Sequence, residues 1–439
     1  MSARLGARRP MAMSRSVPQI RAPRGRHRLG ARLGRADGDA HRTRKRQRRH
    51  RRLGFGRGRG DHQRHGRRHR RRTQRKEEQE EKAQAQMTTL TLPTVDEEIW
   101  RYSRIGELDL DGYRLGKVES KVEGSSAAKK IVASTTGVAP RSATDIFEDL
   151  NLRHAQLIAL STARNQVVAD PVVITHELVE AGVVAYPRLV IDAAENSEIT
   201  VVERFVSRAG VKSLVVPVVD VRASQSARVT YVAINELGAD TWQIGYQRAV
   251  GGRDSSMKLF TVALGGDYAR MRAEVRLEGQ GANAQQVALY FADDEQMHDF
   301  RTLQDHAAPR THSDLLFKGA VKDTAKSVYT GLIRIRDNAT KSEAFQTNRN
   351  LTLSDGAWAE SVPNLEIETN DVKCSHASTV GPIDEDQRFY LESRGIRPEI
   401  AERLVVLGFF GEVIDRLPNL PAVAELRDQV SRKLLGAKS

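Results

Sequence analysis

The sequence predicts a mainly β chain, with a solenoid-type core set between two helical regions. Three observations predict it. From about residue 165 to 382, short β-rich runs follow one another with almost no helical spacing, among them "QVVADPVVITHE", "PRLVIDAAENSEITVVERFVS", "SVYTGLIRIRD" and "NLEIETNDVKC". Each run is about 5–7 residues long and stops at Gly, Asn, Asp or Ser. Many runs alternate, as around Leu332, Arg334 and Arg336, which suits strands with one buried face. The tight "NSE", "GAN" and "DNA" segments suit corners. No strict repeat such as a hexapeptide is present, so irregular coils are expected. Strand spacing alone remains compatible with a sandwich or a barrel.

The elements before the core divide in two. Residues 1–86 carry 29 Lys and Arg against 7 Asp and Glu, leaving 41 basic and 49 acidic residues downstream. The formal charge of +14 therefore belongs to this tail, and the body is mildly acidic. With Phe55 as its one aromatic residue, the tail cannot bury enough apolar surface to offset chain entropy and is expected to be disordered. A basic arm for nucleic acid is one reading of it. The reading preferred here is a mis-assigned start: 26 of the 29 basic residues are Arg, and Met87 opens an ordinary-looking "MTTLTLPTVDEEIW". Residues 87–160 are expected to be a helical region. Thr94 reads as the cap of a short helix carrying Ile99 and Trp100, "EGSSAAKK" as a loop, and Ile146, Leu150 and Leu157 as helically spaced.

The β core is assigned to 161–383 and a helical domain to 384–439. Pro398 opens an apolar series of Ile400, Leu404, Val405, Phe409, Val413 and Leu417, and Gly408 with Gly411 suggests two short helices around a break. The arm is expected to leave part of this stripe exposed, Phe409 or Phe410 included. No stretch approaches the ~18 apolar residues of a membrane span. One cysteine excludes an intrachain disulfide and points to a reducing, cytoplasmic setting.

That cysteine lies in "NDVKCSHASTVG". On a strand, residues i and i+2 share a face, so Cys374 and His376 point together and Lys373 points away. Thiolate and imidazole suit zinc or iron, but two ligands do not complete a tetrahedral site. Either the pair is a buried thiol beside a hydrogen-bonded histidine, or the missing ligands come from another chain. Cys–His nucleophilic catalysis lacks an orienting acid and a marked oxyanion hole. No GxxxxGK[ST] loop is present. "THELVEAG" starts like a zinc-protease helix at His176 and Glu177 but lacks the second histidine. His306 and His312 flank a proline loop and read as surface residues; Trp100, Trp242 and Trp358 read as core or edge packing.

The segment from "THSDLLFKGAVKD" through "AWAESVPNLEIETNDVKCSHASTVGPIDEDQRFYLESRGI", followed by "AERLVVLGFFGEVIDRLP", strongly resembles the SufB/SufD family. The resemblance is continuous from about 311 to 417, looser from 171 to 310, and absent from 1–86. It implies a right-handed parallel β-helix between N- and C-terminal helices. It also implies a non-catalytic scaffold role in SUF iron–sulfur cluster assembly, with the lone thiol resembling the SufD branch more than the SufB branch.

A SufB-like partner would pair with the core, and a SufC-like ATPase would sit on the C-terminal arm at Phe409, Phe410, Val413 and Leu417. ATP would be bound by that ATPase, and no cofactor would be held by this chain alone. A nascent Fe–S cluster would form at the SufB interface beside His376 and Cys374, which would act as transient metal ligands. The family signature Cys-Ser-His-Gly-Ala-Thr-Val-Gly meets Ala377 and Ser378 here in place of Gly and Ala. Two other classes compete: a solenoid polysaccharide hydrolase or lyase, which needs a ladder of acidic and basic residues along one face, and nucleic-acid binding through the tail.

Overall fold

The computed structural model describes residues 90–124 and 143–436, and the basic tail, Met87 and most of the "EGSSAAKK" stretch lie outside the described residues. In chain order the early elements are β1 (Arg114–Leu115), β2 (Glu119–Glu123), α1 (Ile146–His154), β3 (Gln156–Ser161), β4 (Val172–Leu178) and β5 (Val183–Ala185). Next come β6 (Pro187–Ala193), β7 (Glu198–Ser207), β8 (Ser213–Val215), β9 (Val218–Ala223), β10 (Arg228–Glu236), β11 (Thr241–Gly251) and β12 (Ser256–Ala263). The regular turns follow as β13 (Tyr268–Leu277), β14 (Asn283–Ala292), β15 (Met297–His306), β16 (His312–Val321), β17 (Lys326–Ile335), β18 (Glu343–Thr352), β19 (Trp358–Ile367) and β20 (Lys373–Gly381). Helices α2 (Glu385–Ser393), α3 (Pro398–Ile414), α4 (Pro421–Ala424) and α5 (Leu426–Leu434) close the described chain.

The strands form two sheets that the chain visits alternately, making a parallel β-helix of about 8 turns. One sheet runs β1-β5-β8-β11-β13-β15-β17-β19, with β3-β6-β9 joining at β11; the other runs β2-β4-β7-β10-β12-β14-β16-β18-β20. Every pairing is parallel except β2 with β4. Each residue stacks on its counterpart one turn away, as Tyr268 on Met297, Met297 on Lys326 and Lys326 on Trp358.

One corner repeats in conformation though not in residue type. Asn165, Asn196, Ser226, Asp254, Gly281, Arg310 and Lys341 all have positive φ and lie 27 to 31 residues apart. Their backbone N–H groups donate to the next turn, as Asn196 to Gln225 O (2.9 Å) and Arg310 to Thr340 O (2.9 Å). Asn and Asp tolerate the left-handed region, and the stacked corners supply the hydrogen bonds that hold the other residues there.

Each outer sheet face is covered over part of its extent. Trp100, Ile105, Leu108 and Phe147 pack on Trp242, Ile244, Tyr246 and Tyr268 of the first sheet. Arg270 stacks on Trp100 (4.0 Å), ion-pairs with Asp299 and donates to Ile99 O (2.5 Å). The region expected to be helical is therefore mostly a strap. It contains single 3₁₀ turns at Glu98–Trp100 and Ile105–Glu107, and nine-residue α1. Asp145 caps α1 through the N–H groups of Phe147 and Glu148, while Leu157 lies in β3.

On the second sheet, α3 and α5 cover Val232, Phe260, Val287, Leu289, Phe291 and Leu316. Two short helices around a break were expected here, but α3 is one continuous 17-residue helix. A Cβ on Gly408 or Gly411 would meet nothing within 4 Å. Each glycine costs about 1 kcal/mol, whereas burying each of Val406, Phe410, Val413 and Ile414 contributes roughly 1.5–3 kcal/mol. Among the described residues no helix is long and apolar enough to cross a membrane.

Candidate functional site

The terminal turn differs from those before it. In β17 the buried row is Ser327, Tyr329, Gly331, Ile333 and Ile335, and in β18 it is Ala344, Gln346, Asn348 and Asn350. Register carries these rows onto Ala359, Ser361, Pro363, Leu365 and Ile367 of β19, and onto Cys374, His376, Ser378 and Val380 of β20. No residue of β19 or β20 is buried, because no later turn covers them among the described residues. Leu365, Ile367 and Val380 are thus exposed although they occupy interior rows. The Ser378 hydroxyl donates to Ser361 Oγ (2.7 Å) and ties the two sheets together across the open end.

Cys374 and His376 share this inward row, stacked on Ala344 and Gln346. Cys374 is half-buried against Ile333, Ile335, Ala339 and Ala344, and this burial pushes its thiol pKa up. It is a protonated sulfur at neutral pH until a metal or base takes the proton. His376 is exposed at the mouth. Lys373 points outward and pairs with Glu343 (2.7 Å), so it offers the thiol no cation. Among the described residues, no three His, Cys, Asp or Glu side chains are grouped so that they could hold a metal ion.

The arm residues are placed otherwise than expected. Phe410 has no exposed surface, and Val413 and Leu417 are buried with it on the second sheet. Phe410 stands 6.3 Å from the Phe291 ring. Phe409 is half-buried under Lys318, whose Nζ lies 4.7 Å from the ring, donates to Phe409 O (2.8 Å) and pairs with Glu412 (2.7 Å). The reason is that an apolar helical stripe seeks the nearest apolar surface, here the chain's own sheet. The apolar side chains left exposed are Phe389 (71%), Tyr390 (58%) and Leu404 (44%) on α2 and α3.

One other histidine departs from its expected setting. His306, read as a surface residue, is fully buried as the last inward residue of β15, between Thr311 Oγ1 (2.7 Å) and Ser313 Oγ (2.8 Å). His176 lies on strand β4, within the β-rich run read from sequence, and joins Ser120 (2.8 Å) to Glu203 (2.9 Å). Trp100 and Trp242 are buried, and Trp358 lies half-open on β19. Gln346 and Ser361 were not singled out from sequence, and Ser378 was noted only as a departure from the family signature; inter-strand register is what places Gln346 and Ser361 here.

Comparison with known proteins agrees with this architecture. Residues 175–409 match the family described as "SUF system FeS cluster assembly, SufBD core domain". An iron–sulfur cluster assembly SufBD family protein of Mycobacterium bovis is 42% identical over 299 residues, covering 66% of this chain and 72% of that protein. A SufBD family protein of Mycobacterium leprae is 34% identical over 359 residues, covering 77% and 88%. The iron–sulfur cluster assembly protein SufD of Escherichia coli is 26% identical over 334 residues, covering 74% and 78%. On that extent of match, laid over a parallel β-helix with Cys374 and His376 on its last turn, the chain belongs to the SufB/SufD family of the SUF iron–sulfur cluster assembly system.

Proposed function

We propose that this chain is the SufD-like, non-catalytic scaffold subunit of a SUF assembly complex, paired through its open terminal turn with a SufB-like partner. The observation that carries the reading is the uncovered interior row of β19 and β20, where apolar and metal-ligating side chains lie together in the open. A second β-helix end would cover Leu365, Ile367 and Val380 and would bring ligands to Cys374 and His376, which are two short of a tetrahedral set. The nascent cluster is cargo here. His376 offers an imidazole whose ring nitrogen can ligate iron or carry a proton. Cys374 contributes a thiol that must first lose its proton.

The ATPase partner is assigned to the exposed face of the arm at Phe389, Tyr390 and Leu404. Phe410, Val413 and Leu417 hold that arm to the sheet, with Phe409 at its margin. ATP belongs to that partner.

Anaerobic reconstitution of the three-subunit complex tests the reading, scored by cluster absorbance and by complex recovery. His376→Ala is expected to leave the complex intact and cut cluster yield severely, and Cys374→Ser to cut it less, because partner cysteines can replace a thiol. Full cluster formation with His376→Ala would return the pair to a packing role. Leu404→Asp together with Phe389→Ser should lose ATPase capture with an unchanged melting temperature.

A further inference from the structure

Directly beneath His376 lies a side chain that the chain leaves unsatisfied. Gln346 is 2% exposed, and both its Oε1 and its Nε2 are buried without a hydrogen-bond partner among the described residues. Leaving a buried polar atom unpaired costs roughly 1–3 kcal/mol, and here one carboxamide leaves two. Room has been made for it: a Cβ on Gly331 of the facing sheet would collide with the Gln346 amide and the Tyr329 hydroxyl. The polar groups nearest the amide form their bonds elsewhere and not with Gln346. Tyr329 pairs with Thr302 (2.9 Å), and Asn348 donates to Tyr290 Oη (2.9 Å). Leucine at this position would fill the space without an orphaned amide. The next group along the row is His376, its register partner on β20.

We infer that Gln346 is a positioning residue for His376: its carbonyl oxygen accepts the inward ring N–H, directly or through one water, and so keeps the outward ring nitrogen unprotonated. Stacked residues of neighbouring parallel strands lie about 4.8 Å apart, so a glutamine side chain spans the gap with at most one water. A histidine that ligates metal commonly donates its other N–H to an acceptor behind it, which selects the tautomer. His376 has no hydrogen bond to a carboxylate or carbonyl within the described chain, and Gln346 is the buried acceptor on its own row. This inference rests on the cluster-site reading of His376, and it concerns a state of the free protein.

The test uses the full chain with ¹⁵N-labelled histidine. The His376 signal is identified by its loss in His376→Ala, and its two ring nitrogens are distinguished by long-range proton–nitrogen correlation at one neutral pH. In the parent protein a single tautomer should dominate by roughly fivefold to tenfold, the worth of one hydrogen bond. Gln346→Met keeps the volume and removes the acceptor, so the preference should collapse. Gln346→Asn keeps the chemistry but withdraws it by one methylene, and should give the same collapse should the Met variant fail to fold. An unchanged tautomer ratio in a folded variant overturns the inference while leaving the cluster-site reading intact. Loss of cluster yield in His376→Ala bears on that reading alone.

Discussion

The early and late turns of this solenoid are filled by different chemistry. Around β4 to β12 the inward rows hold mostly apolar residues, Val172, Ile174, Ile199, Val201, Val229, Met257 and Leu259, with one buried polar group in which His176 and Tyr231 both bond to Glu203. Around β15 to β18 the same rows hold Thr302, Gln304, His306, Ser313, Ser327, Gln346, Asn348 and Asn350, all buried. An apolar column needs only shape, whereas a polar one needs each group matched to a partner. Outside the group around Glu203, the early turns are therefore held mainly by shape. The late turns are a specified environment that ends at the open row of Cys374 and His376, whose apolar residues gain little from the packing of the free chain.

The largest effect should separate the two ends. Val201→Asn places an unpaired amide in the apolar column and should cost about 3–5 kcal/mol, seen as loss of cooperative melting. Leu365→Ser at the open end should change the melting of the free chain by no more than about 0.5 kcal/mol yet weaken pairing with a SufB-like partner. Equal effects of the two would erase the distinction. Phe410→Ala should cost about 3–5 kcal/mol by loosening the arm from the second sheet, measured by denaturant unfolding. A negligible cost would restore Phe410 to the exposed face.

Acid should act through the late turns. Burial holds His298 near pKa 3, with Lys433 adding to the shift, and holds His306 near 4, where Asp305 opposes the shift and His312 adds to it. In the unfolded chain both titrate near 6.5, so below that pH the unfolded state binds protons that the native state refuses. Stability is therefore complete above about pH 6.5 and falls as pH drops toward 4 and then 3, by about 1.4 kcal/mol per pH unit for each group. Melting curves between pH 7 and 4.5 should show this slope, and His298→Gln should reduce it by half. A slope unaltered by the substitution would place the acid sensitivity elsewhere.

Strands with one buried face were legible because alternation reports it, as in "SVYTGLIRIRD" of β17, whereas β11 and β15 are buried on both faces, which alternation does not report. The corner repeat was not. Asn, Ser, Asp, Gly, Arg and Lys share a backbone conformation that stacked hydrogen bonds impose, so the period is written in φ and not in residue type. The arm was legible as a helix but not as a packed one, since an apolar stripe does not name the surface it will meet. Gly408 and Gly411 misled because their cost is small beside the burial around them. For the site, i, i+2 geometry placed Cys374 and His376 on one face, but Gln346 is adjacent only through register, thirty residues away in sequence.

The corner column also governs how this chain can change length over evolutionary time. Removing one residue from a strand would turn the inward side chains of the rest of that strand outward, whereas excising one whole turn, such as residues 226–253, returns each row to its own phase. Insertions and deletions in this lineage should therefore come in steps of a full turn or be confined to corners. A protein with that excision should still melt cooperatively, while deletion of Thr230 alone should abolish the transition. Fold length here behaves as a counted quantity, adjusted in units of one coil.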